Sequence, residues 1–256
     1  MKKVLVSILF LAMVLSLSHS AAGQTGSKSL NDQLLEAATK GDATAVRLLL
    51  GQGAKIEARD KDGYTALIDA AMMGKTEVVK LLLAKGANID AKDDDGDTAL
   101  VVAAVSAKTE VAKVLLDKGA NIEARDSNAG GTVLIIAAVG RETELVELLL
   151  AKGANIEAKD KWGSTELNIA AGAGTDEIEI VKLLLAKGAN IEARESNGKT
   201  ALINAAIRGR IEIVRLLLDK GANIEAKDKD GDTALSAAVK EGKTDVVKLL
   251  QEHGVH

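Results

Sequence analysis

Apolar residues in this chain alternate between two spacings, and the alternation returns about every thirty-three residues. In the stretch 63–95, Leu67, Ala70 and Ala71 share one side of a helix over Ala66-Leu67-Ile68-Asp69-Ala70-Ala71-Met72-Met73. Gly63 permits the positive φ of a tight turn before it, Thr65 is placed to cap its first N–H groups, and Gly74 stops it. Thr76 opens a second helix over Glu77-Val78-Val79-Lys80-Leu81-Leu82-Leu83-Ala84-Lys85, which Gly86 ends. Ala87-Asn88-Ile89-Asp90-Ala91-Lys92-Asp93 lacks helical spacing and reads as the arm of a hairpin finger. Each unit is therefore helix A, turn, helix B, finger.

The same letters begin again near Gly96, Gly130, Gly163, Gly198 and Gly231. A fixed period of this length predicts stacked units, none of which buries its apolar face alone. Seven units are expected, over 30–62, 63–95, 96–129, 130–162, 163–197, 198–230 and 231–256, with the first and last as polar-faced caps. An extra residue between Asp126 and Thr132 lengthens one finger, and Gly172-Ala173-Gly174-Thr175-Asp176-Glu177 lengthens one turn between helices A and B.

These blocks resemble the ankyrin repeat family from about Leu30 to the C-terminus. The resemblance rests on Thr65-Ala66-Leu67-Ile68-Asp69-Ala70-Ala71 and its counterparts, set against the family's T-P-L-H-x-A, and on the L-L-x-x-G-A closures. Threonine is kept at Thr65, Thr98, Thr132, Thr165, Thr200 and Thr233. The family's proline is replaced by Ala66, Ala99, Val133, Glu166, Ala201 and Ala234, and its histidine by Ile68, Val101, Ile135, Asn168, Ile203 and Ser236. Those departures are expected to remove a rigid helix start and a polar network while leaving the spacing intact. The resemblance implies an all-α class, an ankyrin-repeat solenoid with β-hairpin fingers, and a function in protein binding.

The first residues follow another pattern. Met1-Lys2-Lys3 is positive, Val4 to Leu17 is apolar, and Ser18-His19-Ser20-Ala21-Ala22-Gly23 is small and polar. That order predicts a secretory signal over 1–22, cleaved after Ser20 or Ala22 and followed by a short linker over 23–29. The apolar run is shorter than a bilayer-spanning helix, so no membrane insertion is expected after cleavage. A twin-lysine start of this kind looks bacterial and points to the periplasm or the outside of the cell.

Composition then removes function classes. With no cysteine, disulfides, thiolate metal sites and thiol nucleophiles are excluded. The histidines are His19, His253 and His256, so the repeat body offers no histidine-based triad. The net charge is -4, and removal of Lys2 and Lys3 leaves 31 basic against 37 acidic residues, or -6. No nucleic-acid partner is expected from that balance. Around Gly96 and Gly231 an EF-hand would need acids at 91 and 102, or at 226 and 237, where Ala91, Val102, Ala226 and Ala237 stand. No metal, cofactor or catalytic residue is expected. The carboxylates Glu57, Asp90, Glu123, Glu157, Glu192 and Glu225 recur as one position, as do Asp60, Asp93, Asp126, Asp160, Glu195 and Asp228. They read as architecture, capping finger backbone and balancing Arg59, Lys92, Arg125, Lys159, Arg194 and Lys227.

What remains are exceptions to the period. Tyr64 and Trp162, the aromatics beyond Phe10, fall at finger tips and serve as candidate anchors. Helix A positions facing the groove read Asp69, Val102, Ile136, Ile169 and Asn204, beside Met72, Met73, Val105 and Val139. Lys161, Lys199 and Arg208 add charge. The reading is a non-catalytic module, monomeric, gripping a partner protein along its concave face. An inhibitor or immunity-type protein for an envelope enzyme is one alternative, and a carboxylate-dependent enzyme another.

Overall fold

The computed structural model describes residues 28–172 and 178–254. The signal segment, most of the linker and the lengthened turn after Gly172 lie outside the described residues. The remainder is seven helix pairs. They are α1 (Leu30–Lys40) with α2 (Ala43–Gly51), α3 (Ala66–Met72) with α4 (Thr76–Ala84), and α5 (Ala99–Val105) with α6 (Thr109–Asp117). Then come α7 (Val133–Val139) with α8 (Thr143–Ala151), α9 (Glu166–Gly172) with α10 (Ile178–Ala186), α11 (Ala201–Arg208) with α12 (Ile211–Asp219), and α13 (Ala234–Lys240) with α14 (Thr244–Glu252). Odd numbers are helix A and even numbers helix B.

Helix A starts where the recurrent threonine caps it. Thr65, Thr98, Thr132, Thr165, Thr200 and Thr233 each accept the N–H three residues on. In α1 a capping box between Ser29 and Asp32 does this work. The paired alanines Ala70-Ala71, Ala103-Ala104, Ala137-Ala138, Ala170-Ala171 and Ala205-Ala206 are all buried. Small side chains there let neighbouring A helices touch more extensively than neighbouring B helices, which meet through larger Leu and Val side chains. The stack therefore curves with helix A on its inner side.

Fingers are tied sideways rather than paired as long strands. Among the described residues their β-structure consists of single bridges, Arg59 to Thr65, Lys92 to Thr98 and Arg125 to Thr132. Between units, the backbone N–H groups of Asn88, Asn121, Asn155, Asn190 and Asn223 donate to Glu57, Asp90, Glu123, Glu157 and Glu192 at 2.7–3.1 Å. The acid ladder thus staples each finger base to the next unit. The basic ladder does not neutralise it as expected: Arg59, Arg125 and Arg194 each donate to two carbonyls, both in the following unit. Backbone carbonyls at a finger bend have no helical or strand partner, and the guanidinium supplies their donor.

Two expectations need revision, and one position comes unforeseen. The lost polar network is rebuilt in the fifth unit, where Asn168 accepts from Thr165 and donates 3.0 Å to the Ala193 carbonyl of the finger that closes the same unit. The end units are not polar throughout. Leu48 is 61% exposed and Val239 59% exposed, because among the described residues no further unit covers them as one half-covers Leu81 or buries Ala71. Finally, Glu166 stands where other units carry Ala or Val, and it is just as buried, at 1% exposure.

Neither carboxyl oxygen of Glu166 has a hydrogen-bond partner, and burial alone pushes its pKa well above the usual glutamate range. A buried acceptor without a donor costs roughly 1–3 kcal/mol. Glu166→Met, which removes the polar oxygens at similar volume, is expected to raise the urea midpoint of unfolding at neutral pH. The gain should grow as pH rises above the ordinary glutamate range, where the unfolded carboxyl ionises and the folded one resists.

Candidate partner-binding face

The inner row of the array is built from two helix A positions. The fourth holds Asp69, Val102, Ile136, Ile169, Asn204 and Ala237, and the seventh holds Met72, Val105, Val139, Gly172, Ile207 and Lys240. The expectation that the fourth position forms the open floor is only partly met. Asp69 is 8% and Val102 7% exposed, while Ile136, Ile169 and Asn204 are half-buried. This position lies under the base of the preceding unit's finger, as Asn204 shows by donating 2.7 Å to Glu195 there. Val102 is therefore part of the core rather than a contact surface.

Exposure falls instead on the seventh position, one turn further from the cap. Val105 is 49% and Val139 52% exposed, on adjacent helices α5 and α7, and Met72 and Met73 are half-buried beside them. Aligning the helices by their capping threonines, without the structure, would have separated these two rows.

Trp162 is also 52% exposed. Its backbone is fixed at both ends: its N–H donates 2.9 Å to Asp160, and its carbonyl accepts 2.9 Å from Ser196 of the next finger. Lys161 lies over the indole with its ammonium 4.7 Å from the ring centroid, and also bonds the Asn128 carbonyl of the preceding finger. A ring presented this way is already ordered, so binding freezes little further motion. Lys199 is half-buried and Arg208 exposed.

Tyr64 differs from Trp162. It is half-buried, and its phenol is pushed up to about 12 by burial and by Asp93, Asp95, Asp62 and Asp60. It remains neutral at any physiological pH and sits amid a concentration of acids. Asp69 is pushed up to about 7 by burial and then by Asp60 and Asp62.

The shallow depressions lined by Arg47, Leu50, Gly51, Ile56 and Lys85, and by Lys80, Val114, Asp117 and Lys118, lie on the helix B side. They share no residue with the inner row. Among the described residues no three His, Cys, Asp or Glu side chains converge as a metal-binding group.

The ankyrin repeat profile, in three copies, matches residues 34–126, 126–195 and 167–256. The chain belongs to the ankyrin repeat family. The ankyrin repeat domain of Bcl-3, described as a unique member of the IkappaB protein family, has a similar solved structure. The two share 32% identity and a TM-score of 0.74, over 84% of this chain and 97% of that one. No curated protein matches the chain in sequence. Ankyrin repeat arrays are interaction scaffolds, and the present one is a protein–protein interaction module.

Asp69 has a measurable consequence for this ankyrin array. An unfolded aspartate titrates near 3.8, the folded one near 7. Between those values the folded chain holds a proton that the unfolded chain has released, so stability is intact below about pH 4 and falls as pH rises through 7. Asp69→Asn should abolish that decline and stabilise the protein above pH 7, by at most roughly 4 kcal/mol. Urea unfolding of both forms across this pH range checks it.

Proposed function

We propose that this ankyrin array is a non-catalytic binding module, exported to the periplasm or outside the cell, that holds one partner protein along its helix A face. The observation that carries the reading is the ordered, outward indole of Trp162 together with the bare Val105 and Val139 of adjacent helices. Apolar side chains at half exposure on neighbouring units form a strip, and strips of that kind favour burial against another surface. The tip aromatic supplies the large anchor that such interfaces concentrate their energy in. Export is supported by the order of charged, apolar and small residues over 1–22. Among the described residues no helix is long and apolar enough to cross a membrane. The carboxylate with the strongest burial, Glu166, is out of reach of any substrate at 1% exposure.

Capture from envelope extract tests the face. Trp162→Ala combined with Val139→Asp should abolish retention of the wild-type partner, with an effect of ~2 kcal/mol or more on affinity. Identical proteins retained by both forms would show that the partner sits elsewhere. The N-terminus of the mature protein tests export: it should begin at Ala21 or Gly23, and a chain still starting at Met1 in the envelope fraction would contradict the signal.

A further inference from the structure

Glu166 opens α9 at a register position whose place in the stack the end units reveal. The position is Gln33 in the first unit, Ala66 in the second and Ala234 in the seventh, as the glycines Gly41, Gly74 and Gly242 that end each helix A align them. Gln33 is exposed, whereas Ala234 is buried. No described unit precedes the first and none follows the seventh, so the position is covered from the preceding unit's side. The side chain of Glu166 therefore lies in the joint between the fourth and fifth units. Both of its carboxyl oxygens are buried there without a hydrogen-bond partner.

That joint is tied less firmly than the one after it. Helix α9 touches α11 more extensively than it touches α7. Across the later joint, Nδ2 of Asn204 donates 2.7 Å to Glu195 and 3.4 Å to the Asn168 carbonyl. Ile169 holds the equivalent position in the fifth unit and has no donor to offer the fourth. The polar ties across the earlier joint join finger to finger: Asn190 N–H to Glu157 at 2.7 Å, Ser196 N–H to the Trp162 carbonyl at 2.9 Å, and Lys159 to the Arg194 carbonyl at 3.0 Å. Within the fifth unit, Asn168 binds both Thr165 and the Ala193 carbonyl, which makes its helix A and finger one body. The fingers thus supply an axis, and α7 and α9 are the surfaces that part around it.

No cation in the described part of the stack assists ionisation at this joint. Of the helices packed on α9, α7 carries no charge, α10 carries Glu179 and Lys182 paired at 2.7 Å, and α11 carries the exposed Arg208. On the two fingers, Lys159, Lys161 and Arg194 bond carbonyls, Glu157, Asp160, Glu192 and Glu195 accept from N–H groups, and Lys199 is half-buried. None of these charges acts on Glu166, which burial alone pushes well above the usual glutamate range.

We propose that the joint between the fourth and fifth units is a proton-controlled hinge: with Glu166 protonated the stack is closed, and transfer of that proton to water opens α7 from α9. Below the ordinary glutamate range the closed and open forms both hold the proton, and the joint has its full stability. Above it the open form releases the proton while the closed form keeps it, so opening becomes easier as pH rises until the closed carboxyl ionises too. The hinge crosses the inner row between Val139 on α7 and Ile169 on α9, with Trp162 on the finger between them. Its consequence for binding rests on the reading of that row as the partner face: a partner that spans both sides selects the closed, protonated form.

The test exploits a chain without cysteine. Ala138→Cys places a thiol in the hinge joint, at the buried position whose counterpart Val239 lies bare in the seventh unit, and Ala206→Cys places one at the same position between the sixth and seventh units. Iodoacetamide labelling of each purified variant is followed from about pH 5 to 8, and the ratio of the two rates cancels the ionisation common to both thiols. The ratio should rise with pH, by up to about tenfold per unit. Adding Glu166→Ala, the residue that four other units carry, should leave it level, and Glu166→Gln, which keeps the size of the side chain, should do the same. A level ratio with Glu166 in place, or an equal rise in either Glu166 variant, would overturn the hinge. A level ratio with Trp162-dependent capture intact would remove the hinge and leave the binding face standing. A rising ratio with capture independent of Trp162 would do the reverse.

Discussion

Everything in this protein depends on the contact between one unit and the next. A single helix pair has an apolar face on each side and no second layer of its own to cover it, so burial is obtained only by stacking. Alanine pairs on helix A make the inner contacts short, and leucines on helix B make the outer ones longer. Curvature follows from that inequality of side-chain size. In the first and last described units the same rule exposes Leu48 and Val239, which no further described unit covers.

The fingers add a second, polar coupling along the same direction. Carboxylates accept from the backbone of the next unit, and guanidinium groups donate to carbonyls across the same joint. Charge in this array is therefore used mostly against backbone, group by group, rather than in ion pairs between the two ladders. That arrangement consumes nearly all the repeated polar residues. Among the described residues it leaves few buried side-chain groups unmatched, the carboxyl oxygens of Glu166 and Nε of Arg210. Glu166 is a buried acid without a donor, sealed inside the stack, and destabilises it.

Much of the candidate face was legible before the structure. Trp162 and Tyr64 stood out because they break the period, and the apolar character of Val105 and Val139 was visible from helical spacing. The depth of each position was not. Val102 and Val105 are the same residue type, three positions apart on one helix, yet one is 7% and the other 49% exposed. Only the path of the finger above them separates the two. The pairing of Asp60, whose Oδ1 accepts from the N–H groups of Asp62 and Tyr64, likewise depends on how its carboxylate turns toward the finger backbone, a matter of angles that residue spacing does not encode.

By itself, then, the sequence determined the unit, the period, the capping threonines and the family, because these follow from local preferences repeated at a fixed interval. The tertiary structure alone decided which of those residues are covered, which carboxylates find a donor and which do not. Those outcomes arise between units, from groups about thirty residues apart in the chain and under three ångströms apart in space, as between Asn88 and Glu57. Positions equivalent in register therefore acquire different environments: Asn204 donates to Glu195, whereas Asp69 is buried and its carboxyl is pushed up by that burial.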